Sequence, residues 1–361
     1  MKVVVFGATG VVGRAAVEHF AATDACDVVA VSRRPLELPG VEHVSVDLAD
    51  EAAAARAIAS PAFRGTTHVV YAALQESPDL VRGWQDEALM ARNLDLFAHA
   101  LGPLAAAEGA TVRHVSLLQG AKAYGLHLGR SPLPAKERTP RDPHQNFYFL
   151  QEDALRSLAD GAAWSWTILR PQVVFGESFA SPMNLVPAIG VFAALERERG
   201  HALSFPGGPP SVQEAVDARL LARALAWAAE APAARDEIFN VTNGDVYCWH
   251  DVWPRIAAVF GMDVGEPAPQ QLAEAMPPRA DEWSAVVQRH GLRSPGDMGE
   301  FVGGSWTYAD ILFGAPGRAR SLPALLSTVK IREAGFHDCV DSEDMLSDWL
   351  TEFQRRGLLP R

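Results

Sequence analysis

A run of glycines between an apolar strand and an amphipathic helix constrains this chain more than any other feature. The first residues, Met1 to Phe6, include three consecutive valines, which is typical of a buried parallel strand. Gly7, Gly10 and Gly13 follow at once, and beyond them apolar residues recur three and four positions apart, as in a helix. This order predicts a βαβ nucleotide-binding unit; the alternative is a tight turn that binds no ligand.

Each glycine has its own task in such a unit. Gly7 lets the chain turn sharply off the strand, Gly10 lets the backbone approach a pyrophosphate, and Gly13 lets the helix pack against the strand. The start of the helix offers unpaired N–H groups and partial positive charge to the phosphates. We therefore predict a dinucleotide-phosphate site formed by Gly7, Thr9, Gly10, Val11, Val12 and Gly13.

The end of the second predicted strand, Asp27 to Ser32, indicates which dinucleotide is bound. In the NAD-binding version of this fold an acidic residue stands there and binds the ribose 2′-hydroxyl. Here Ser32 is followed by Arg33 and Arg34, whose guanidinium groups suit a 2′-phosphate. The alternative is a solvated basic pair at a strand end. We predict NADPH/NADP⁺ as the cofactor.

Further strands follow in βαβ order, at His43 to Val46, Thr67 to Ala73, Thr111 to Leu118, Trp166 to Leu169 and Glu237 to Val241. Because the carboxyl ends of parallel strands line the cofactor site, we expect contacts from Asp47, Leu48, Ala73 and Leu118. Asp47 has two candidate roles, which are to accept a hydrogen bond from the adenine amino group and to cap the helix predicted from Glu51 onward.

Composition excludes several classes of partner. The chain has 44 acidic and 32 basic residues, a formal net charge of −12, so we expect no nucleic-acid partner. No apolar run reaches roughly 18 residues, so no membrane partner is expected. Met1 leads directly into the first strand, which predicts no secretory leader. Three widely spaced cysteines form neither a disulfide framework nor a metal pattern, and we expect a cytoplasmic protein without a metal site.

Several motifs together resemble the extended short-chain dehydrogenases/reductases. They are the glycine turn, Asp47-Leu48 after the third strand, and the sequence Arg170-Pro171-x-x-Val174-x-Gly176 after the sixth. Enzymes of that superfamily usually carry Tyr-x-x-x-Lys, with both side chains on one helix face. Here Glu152 stands four residues after Tyr148, so the usual lysine is missing.

This departure resembles a narrower group, the progesterone 5β-reductase/iridoid synthase-like (PRISE) family. Its helix begins Asn-Phe-Tyr and continues to Glu-Asp, as 146–148 and 152–153 do here. Its lysine comes from the loop after the fifth strand, in a pattern like Gly-x-Lys-His-Tyr. Residues 120–124 match that pattern, with Lys122 in place and Ala123 instead of the histidine. The likeness covers nearly the whole chain and includes Met183-Asn184-Leu185, Phe205-Pro206-Gly207 and Phe239 to Val246.

The resemblance implies an NADPH-dependent reductase of activated C=C bonds, acting on a small apolar enone or enal. Tyr148 would stabilise the enolate oxygen, and Lys122 would supply positive charge and hold the ribose or the tyrosine. It also implies cofactor contacts from Tyr148, Val174, Ser181, Pro182 and Met183. By themselves these residues leave other interpretations open: Tyr148 as a half-buried aromatic and Lys122 as a surface lysine. We interpret Glu152 and Asp153 as acids that complement the dipole of a first helical turn.

We therefore predict an α/β fold with a Rossmann-type doubly wound parallel sheet and a smaller, mainly helical substrate domain. The sheet domain covers 1–171 plus 211–243, and the substrate domain covers 172–210 plus 244–361, with the substrate bound between them. Two rival functions stay open, a carbonyl reductase or sugar-nucleotide epimerase/dehydratase and a non-catalytic NADP(H) sensor. The sequence does not fix the substrate or the oligomeric state, and a homodimer is compatible with it.

Overall fold

The computed structural model of the protein describes residues 1–106, 111–129, 131–317 and 324–361. Two compact units are present. The first consists of Met1–Gln172, Ala218–Thr242 and Leu326–Asp338, and the second of Val173–Asp217, Asn243–Leu325 and Cys339–Arg361. The predicted domain limits differ from these units at 172, 211–217, 243 and 326–338. The segment 326–338 packs on the first unit, where Lys330 Nζ donates to the carbonyl of Ile238 at 2.9 Å.

The strands, in chain order, are β1 (Lys2–Phe6), β2 (Asp27–Ser32), β3 (Val41–Ser45), β4 (His68–Tyr71), β5 (His114–Leu118), β6 (Ser165–Pro171), β7 (Val173–Phe175), β8 (Val212–Gln213), β9 (Ala215–Asp217), β10 (Glu237–Val241) and β11 (Tyr247–Cys248). Seven of them form one sheet in the order β10-β6-β5-β4-β1-β2-β3, and every neighbouring pair in it is parallel. The strand order reverses beside β1, as in doubly wound nucleotide-binding folds. The predicted fold class is confirmed.

The helices are α1 (Val11–Ala21), α2 (Glu51–Ile58), α3 (Leu80–Gly83), α4 (Glu87–Ala106), α5 (Phe147–Ala159), α6 (Leu185–Glu198), α7 (Ala218–Glu230), α8 (Trp249–Val259), α9 (Leu272–Ala275), α10 (Ala280–His290), α11 (Met298–Val302), α12 (Ser305–Phe313), α13 (Val329–Glu333) and α14 (Ser342–Arg355). None of the helices that the structure describes is both long and apolar enough to cross a membrane.

The core of the first unit follows from the pleat of its strands. Alternate residues of β1, such as Val4 and Phe6, join one apolar cluster with side chains of α2, α4 and α5, including Phe97 and Leu155. Successive strand side chains point to opposite faces, so the intervening valines serve the other face. There α1 and α7 pack against each other. Both faces are covered, which explains the uninterrupted valine run in β1.

The second unit is mainly helical, with two small two-stranded sheets, β7 with β9 and β8 with β11. An aromatic cluster of Phe205, Trp249, Trp253 and Phe313 fills its interior, with ring centroids of Phe205 and Trp253 5.1 Å apart. α7 begins at Ala218, directly after Ala215–Asp217, which pair with β7 as a strand.

His114 at the start of β5 makes the fold sensitive to acid. Its ring is 2% exposed, Nδ1 lies 3.0 Å from Ser165 Oγ, and Nε2 has no hydrogen-bond partner among the described residues. Burial, with smaller contributions from His68 and Arg235, lowers the pKa of His114 from 6.5 to about 3. Between those two pH values the His114 imidazole binds a proton in the unfolded chain but stays neutral in the folded chain. Stability should therefore fall as the pH falls below 6.5.

The expected loss from His114 between pH 7.5 and pH 5 is about 2 kcal/mol of unfolding free energy. In a His114→Phe variant this part of the loss should vanish, which urea unfolding at the two pH values would measure. Any constant effect of the substitution cancels in the difference. His337→Asn, at an exposed position, should keep the parent's pH dependence. An unchanged difference in His114→Phe would contradict the assignment to His114.

Candidate active site

The glycine turn between β1 and α1 is shaped by two close backbone approaches. Gly7 has φ of +81°, and a Cβ atom there would lie 2.6 Å from the carbonyl oxygen of Ala72 at the end of β4. A Cβ on Gly13 would lie 2.1 Å from the oxygen of Gly7, so only glycine lets α1 start this close to the strand. Gly10 precedes α1 and caps it without a side chain. Thr9, Val11 and Val12 surround this helix start and are partly exposed.

Arg33 and Arg34 are exposed directly after β2. Their backbone is fixed by the neighbouring strands, because Ser32 Oγ donates to the oxygen of Arg34 at 2.7 Å and Ser45 Oγ donates to that of Arg33 at 3.1 Å. Both guanidinium groups therefore extend from a fixed main chain at the carboxyl edge of the sheet.

The structure corrects one of the two roles predicted for Asp47. Asp50, not Asp47, caps α2, since its side chain accepts from the backbone of Ala53 at 2.9 Å. Asp47 is exposed and accepts from the backbone of Ala49 at 3.0 Å, and Leu48 beside it is buried. The adenine contact predicted for Asp47 stays a prediction. Ala73, after β4, and Leu118, at the end of β5, are half-buried.

Lys122 and Tyr148 lie side by side although they come from different elements. Lys122 belongs to the 3₁₀ turn Ala121–Tyr124 directly after β5, and Tyr148 lies in the first turn of α5. The Lys122 Nζ atom is 5.8 Å from the centre of the Tyr148 ring and 4.7 Å from that of Trp84. Tyr148 is 7% exposed. An ammonium at these distances is attracted by the aromatic faces.

One asparagine ties the two residues together. Asn146, which caps α5, accepts from the backbone of Tyr148 at 3.0 Å and donates through Nδ2 to the carbonyl of Lys122 at 3.2 Å. His144 extends this chain, with Nε2 3.3 Å from Asn146 Nδ2 and Nδ1 2.9 Å from Asp142 Oδ1. The Asn-x-Tyr pattern seen in the sequence is thus a structural link as well as a helix start.

Gly120 leaves room for the Tyr148 hydroxyl. Its φ of −175° is extended backbone that any residue adopts, so conformation does not demand glycine there. A Cβ atom would lie 3.2 Å from the Tyr148 hydroxyl oxygen, which is tighter than ordinary contact. Farther along the same turn, Tyr124 donates to Asn240 Oδ1 at 2.7 Å and anchors the turn to β10.

Glu152, at the position of the superfamily's usual lysine, is the centre of a buried polar cluster. Its Oε2 lies 3.3 Å from both Gln119 Nε2 and Arg170 Nη2, and its Oε1 lies 2.9 Å from Arg141 and 3.1 Å from Arg156. Burial opposes the charge of Glu152, but hydrogen bonding from Arg141 and the charge of Arg170 outweigh it and hold the pKa of the carboxyl below its ordinary value.

This cluster corrects the interpretation of Glu152 and Asp153 as first-turn acids. The first turn of α5 begins at Phe147 and contains no acidic residue. Glu152 instead joins α5 to β6 through Arg170 and to the end of β5 through Gln119. Gln119 also donates to the carbonyl of Tyr148 at 2.9 Å, and Arg170 Nε donates to Gln119 Oε1 at 2.8 Å. In the sequence Arg170 belonged to the motif after the sixth strand, but nothing there indicated that it pairs with Glu152, and no motif marked Gln119.

Glu76, which no sequence motif marked, pairs with the Lys122 ammonium. It lies in the loop after β4, and its Oε1 is 3.4 Å from Lys122 Nζ. Burial raises the pKa of Glu76, an effect that the charge of Lys122 opposes. Burial likewise lowers the pKa of Lys122, and Glu76 opposes that effect.

The remaining predicted cofactor residues belong to the second unit. Val174 lies in β7 and pairs with Val216 of β9. Ser181, Pro182 and Met183 precede α6 and are fixed within their unit, because Ser305 Oγ donates to the carbonyl of Ser181 at 2.6 Å. A Cβ on Gly303, whose φ is +62°, would meet the carbonyl carbon of Ala180 at 2.6 Å, so α11 also ends close against this segment.

Comparison with known proteins relates this fold and site to others. A family model described as a PRISE-like Rossmann-fold domain matches residues 63–310. A 3-oxo-Delta(4,5)-steroid 5-beta-reductase from Arabidopsis thaliana is 29% identical, over 99% of this chain and 92% of its own length. An (S)-8-oxocitronellyl enol synthase from Catharanthus roseus is 31% identical, over 86% of this chain and 81% of its own length.

The fold also matches solved structures whose sequences are more distant. UDP-glucose 4-epimerase from Thermus thermophilus, in complex with NAD, superimposes with a TM-score of 0.66 at 21% identity, covering 98% of this chain and 99% of that one. At that identity the likeness concerns the fold alone.

Proposed function

Because the chain belongs to the PRISE-like Rossmann-fold family, we propose that it is an NADPH-dependent reductase of the C=C bond of enones or enals. The observation that carries the proposal is the burial of Lys122 beside Tyr148, with Glu152 occupied elsewhere. A lysine supplied by the loop after β5 replaces the one missing from α5. Relatives named as a steroid 5-beta-reductase and an oxocitronellyl enol synthase support a carbonyl-conjugated substrate.

The residues around the glycine turn fit a dinucleotide. The start of α1 is partly exposed, and Gly10, which precedes the helix, carries no side chain that could cover its first N–H groups. Gly7, Thr9, Gly10, Val11 and Val12 would hold the pyrophosphate, and Arg33 and Arg34 the 2′-phosphate. When bound, the nicotinamide supplies a hydride, which in enone reduction goes to the β-carbon.

The protein's own groups act on the charge that this addition creates. As the β-carbon is reduced, negative charge collects on the carbonyl oxygen, and a fixed donor at that oxygen lowers the barrier. Tyr148 is that donor, and Asn146 and Gln119 fix its backbone on either side. Lys122 contributes positive charge beside the tyrosine ring and favours the electron-rich oxygen in the transition state.

Product identity tests the proposed function. Purified protein is mixed with NADPH and a panel of cyclic enones, linear enals and a 3-keto-4-ene steroid, and products are identified by mass spectrometry and NMR. We expect saturated ketones or aldehydes. An allylic alcohol would show reduction of the carbonyl and assign the protein to the carbonyl-reductase alternative. Tight NADPH binding without turnover across the panel would favour a sensor.

The choice of NADPH over NADH depends on Arg33 and Arg34. Alanine at both positions removes charge-assisted hydrogen bonds to the 2′-phosphate, a group that NADH lacks. NADPH affinity should therefore fall about tenfold or more, with little change for NADH, in fluorescence titrations of each cofactor. Arg64→Ala, at an exposed position after the 3₁₀ turn Pro61–Phe63, is the matched control and should leave both affinities unchanged. Equal losses for the two cofactors would be incompatible with a 2′-phosphate site.

A further inference from the structure

We propose that Glu76 is a positioning residue for Lys122, whose ammonium it holds beside Tyr148 and keeps charged. The inference deepens the proposed function and rests on it. It assigns a task to a side chain of the loop after β4 that no motif of the chain identifies.

The geometry places both charged groups away from water. The Lys122 side chain is 14% exposed and that of Glu76 is 7% exposed, with 3.4 Å between Nζ and Oε1. Charged groups that are removed from water are costly unless they are paired. Among the residues that the structure describes, Glu76 is the carboxylate that pairs with Lys122. The ammonium also lies over two aromatic faces, those of Trp84 and Tyr148.

The loop that carries Glu76 is anchored beside it. The backbone N–H of Gln75 donates to Asn93 Oδ1, and Asn93 Nδ2 donates to the carbonyl of Gln75, both at 2.9 Å. Asn93 is 1% exposed, and its own carbonyl accepts from Gln151 Nε2 of α5 at 2.9 Å. The Glu76 carboxylate is therefore held near Lys122 by a loop that is hydrogen-bonded to α4, and α4 is hydrogen-bonded to α5, which carries Tyr148.

On the other side of Glu76 the chain packs just as closely. A Cβ on Gly83 of α3 would lie 2.5 Å from the Cβ of Ser77, so the Gly83 backbone lies close against the Ser77 side chain. The same short helix leads into Trp84, which covers the Lys122 ammonium. Preorganised surroundings of this kind hold a charge in place without reorganisation during a reaction.

Removing the charge of Glu76 has a defined consequence for Lys122. Burial alone lowers the lysine pKa, and Glu76 is the group that opposes it. Among the described residues, the titratable groups that surround this pair are Tyr148 on α5, the rings of His127 and His144 beyond Trp84 and Asn146, and Asp142 beyond His144. Once Glu76 is neutral, none of these groups places a negative charge in contact with the Lys122 ammonium. Lys122 should then lose its proton at lower pH.

Because the chain contains few lysines, the protonation of the Lys122 amine can be measured separately from that of the others. The sequence contains four lysines, which are Lys2, Lys122, Lys136 and Lys330. Competitive acylation with trace acetic anhydride across a pH series, followed by peptide mass spectrometry, reports the fraction of each amine that is unprotonated. Lys2 and Lys136 serve as internal references for the reagent, and the measurement needs neither substrate nor turnover.

We expect the labelling midpoint of Lys122 to fall by about one pH unit or more in Glu76→Gln. Glu76→Asp keeps the charge and should recover most of the shift. Glu87→Gln, which removes an exposed acid from the first turn of α4, should match the parent. If Glu76→Gln does not fold, a smaller downward shift in Glu76→Asp decides the question. Identical Lys122 midpoints in the parent and in the folded Glu76 variants would overturn the proposal.

Activity supplies the second readout. If Lys122 must be protonated, the high-pH limb of kcat/KM should move to lower pH in Glu76→Gln by the same interval as the labelling midpoint. A labelling shift without any enone reduction in the parent would contradict the proposed function while leaving the pairing intact. A labelling shift with an unmoved high-pH limb would mean that Glu76 pairs with Lys122 but does not position it for the reaction, which also overturns the proposal.

Discussion

Replacing Glu152 with lysine, the residue that extended short-chain dehydrogenases/reductases usually carry there, is expected to destabilise the protein by at least about 3–5 kcal/mol. Glu152 is 3% exposed and faces three guanidinium groups, those of Arg141, Arg156 and Arg170. Loss of the carboxylate leaves the buried Arg170 without its ion partner, and the new ammonium adds repulsion. Native domains are stable by about 5–15 kcal/mol, so this variant should lose a large fraction of its stability.

Urea unfolding or, for a protein that does not accumulate, soluble yield and circular dichroism would measure the effect. Asp153→Lys is the matched control: the same charge reversal on the next residue, but at a side chain that is 62% exposed. It breaks a surface contact with Arg141 and should cost no more than about 1 kcal/mol. Glu152→Gln, which keeps the shape of the side chain, should lie between the two. Equal stabilities of the two lysine variants would show that the buried cluster contributes no more to the free energy of unfolding than the surface contact does.

Replacing Tyr148 with phenylalanine is expected to lower kcat for enone reduction by about 10²–10³-fold. The substitution removes only the hydroxyl that would donate to the developing oxyanion. The ring keeps its contact with the Lys122 ammonium and its place in the cluster with Phe149 and Ala123. The melting temperature should therefore stay close to that of the parent.

Tyr124→Phe is the informative control for Tyr148→Phe. It removes a buried hydroxyl of the same neighbourhood, but one that donates to Asn240 and lies away from the Lys122 pair. We expect a lower melting temperature with a kcat close to the parent's. A parent-like kcat in Tyr148→Phe would mean that another group stabilises the oxyanion and that the family's catalytic tyrosine does not act here.

Local patterns predicted what short stretches of chain determine. The valine run, the glycine spacing and the βαβ order identified the central sheet, and the resemblance to one family identified Lys122 and Tyr148 as a pair. The sequence did not predict a residue's role where that role depends on a partner far away in the chain. Glu76 meets Lys122 across 46 positions and Glu152 meets Arg170 across 18. In both pairs the two residues lie on different elements, so the periodicity of a single helix or strand could not predict the contact.

Two errors have the same physical origin. Asp47 and Asp50 both suit the start of a helix, and only the path of the chain decides that Asp50 caps α2. Glu152 suits the solvent side of a helix by composition, yet in the fold it points toward Arg170. Residue type gives the chemistry that a side chain can perform, while the packing of β5, β6 and α5 selects which chemistry it performs.

Because the lysine lies in the turn after β5 and not on the helix of the tyrosine, different motions of the chain can separate the two residues. When tyrosine and lysine share one helix face, any fluctuation that preserves the helix preserves the pair. Here the pair depends on the docking of α5 against that turn through Asn146. A sub-global opening that detaches the start of α5, with the sheet still folded, would separate the two groups. In the proposed mechanism, catalytic competence would depend on tertiary docking, and its thermal limit would lie at or below that of the fold.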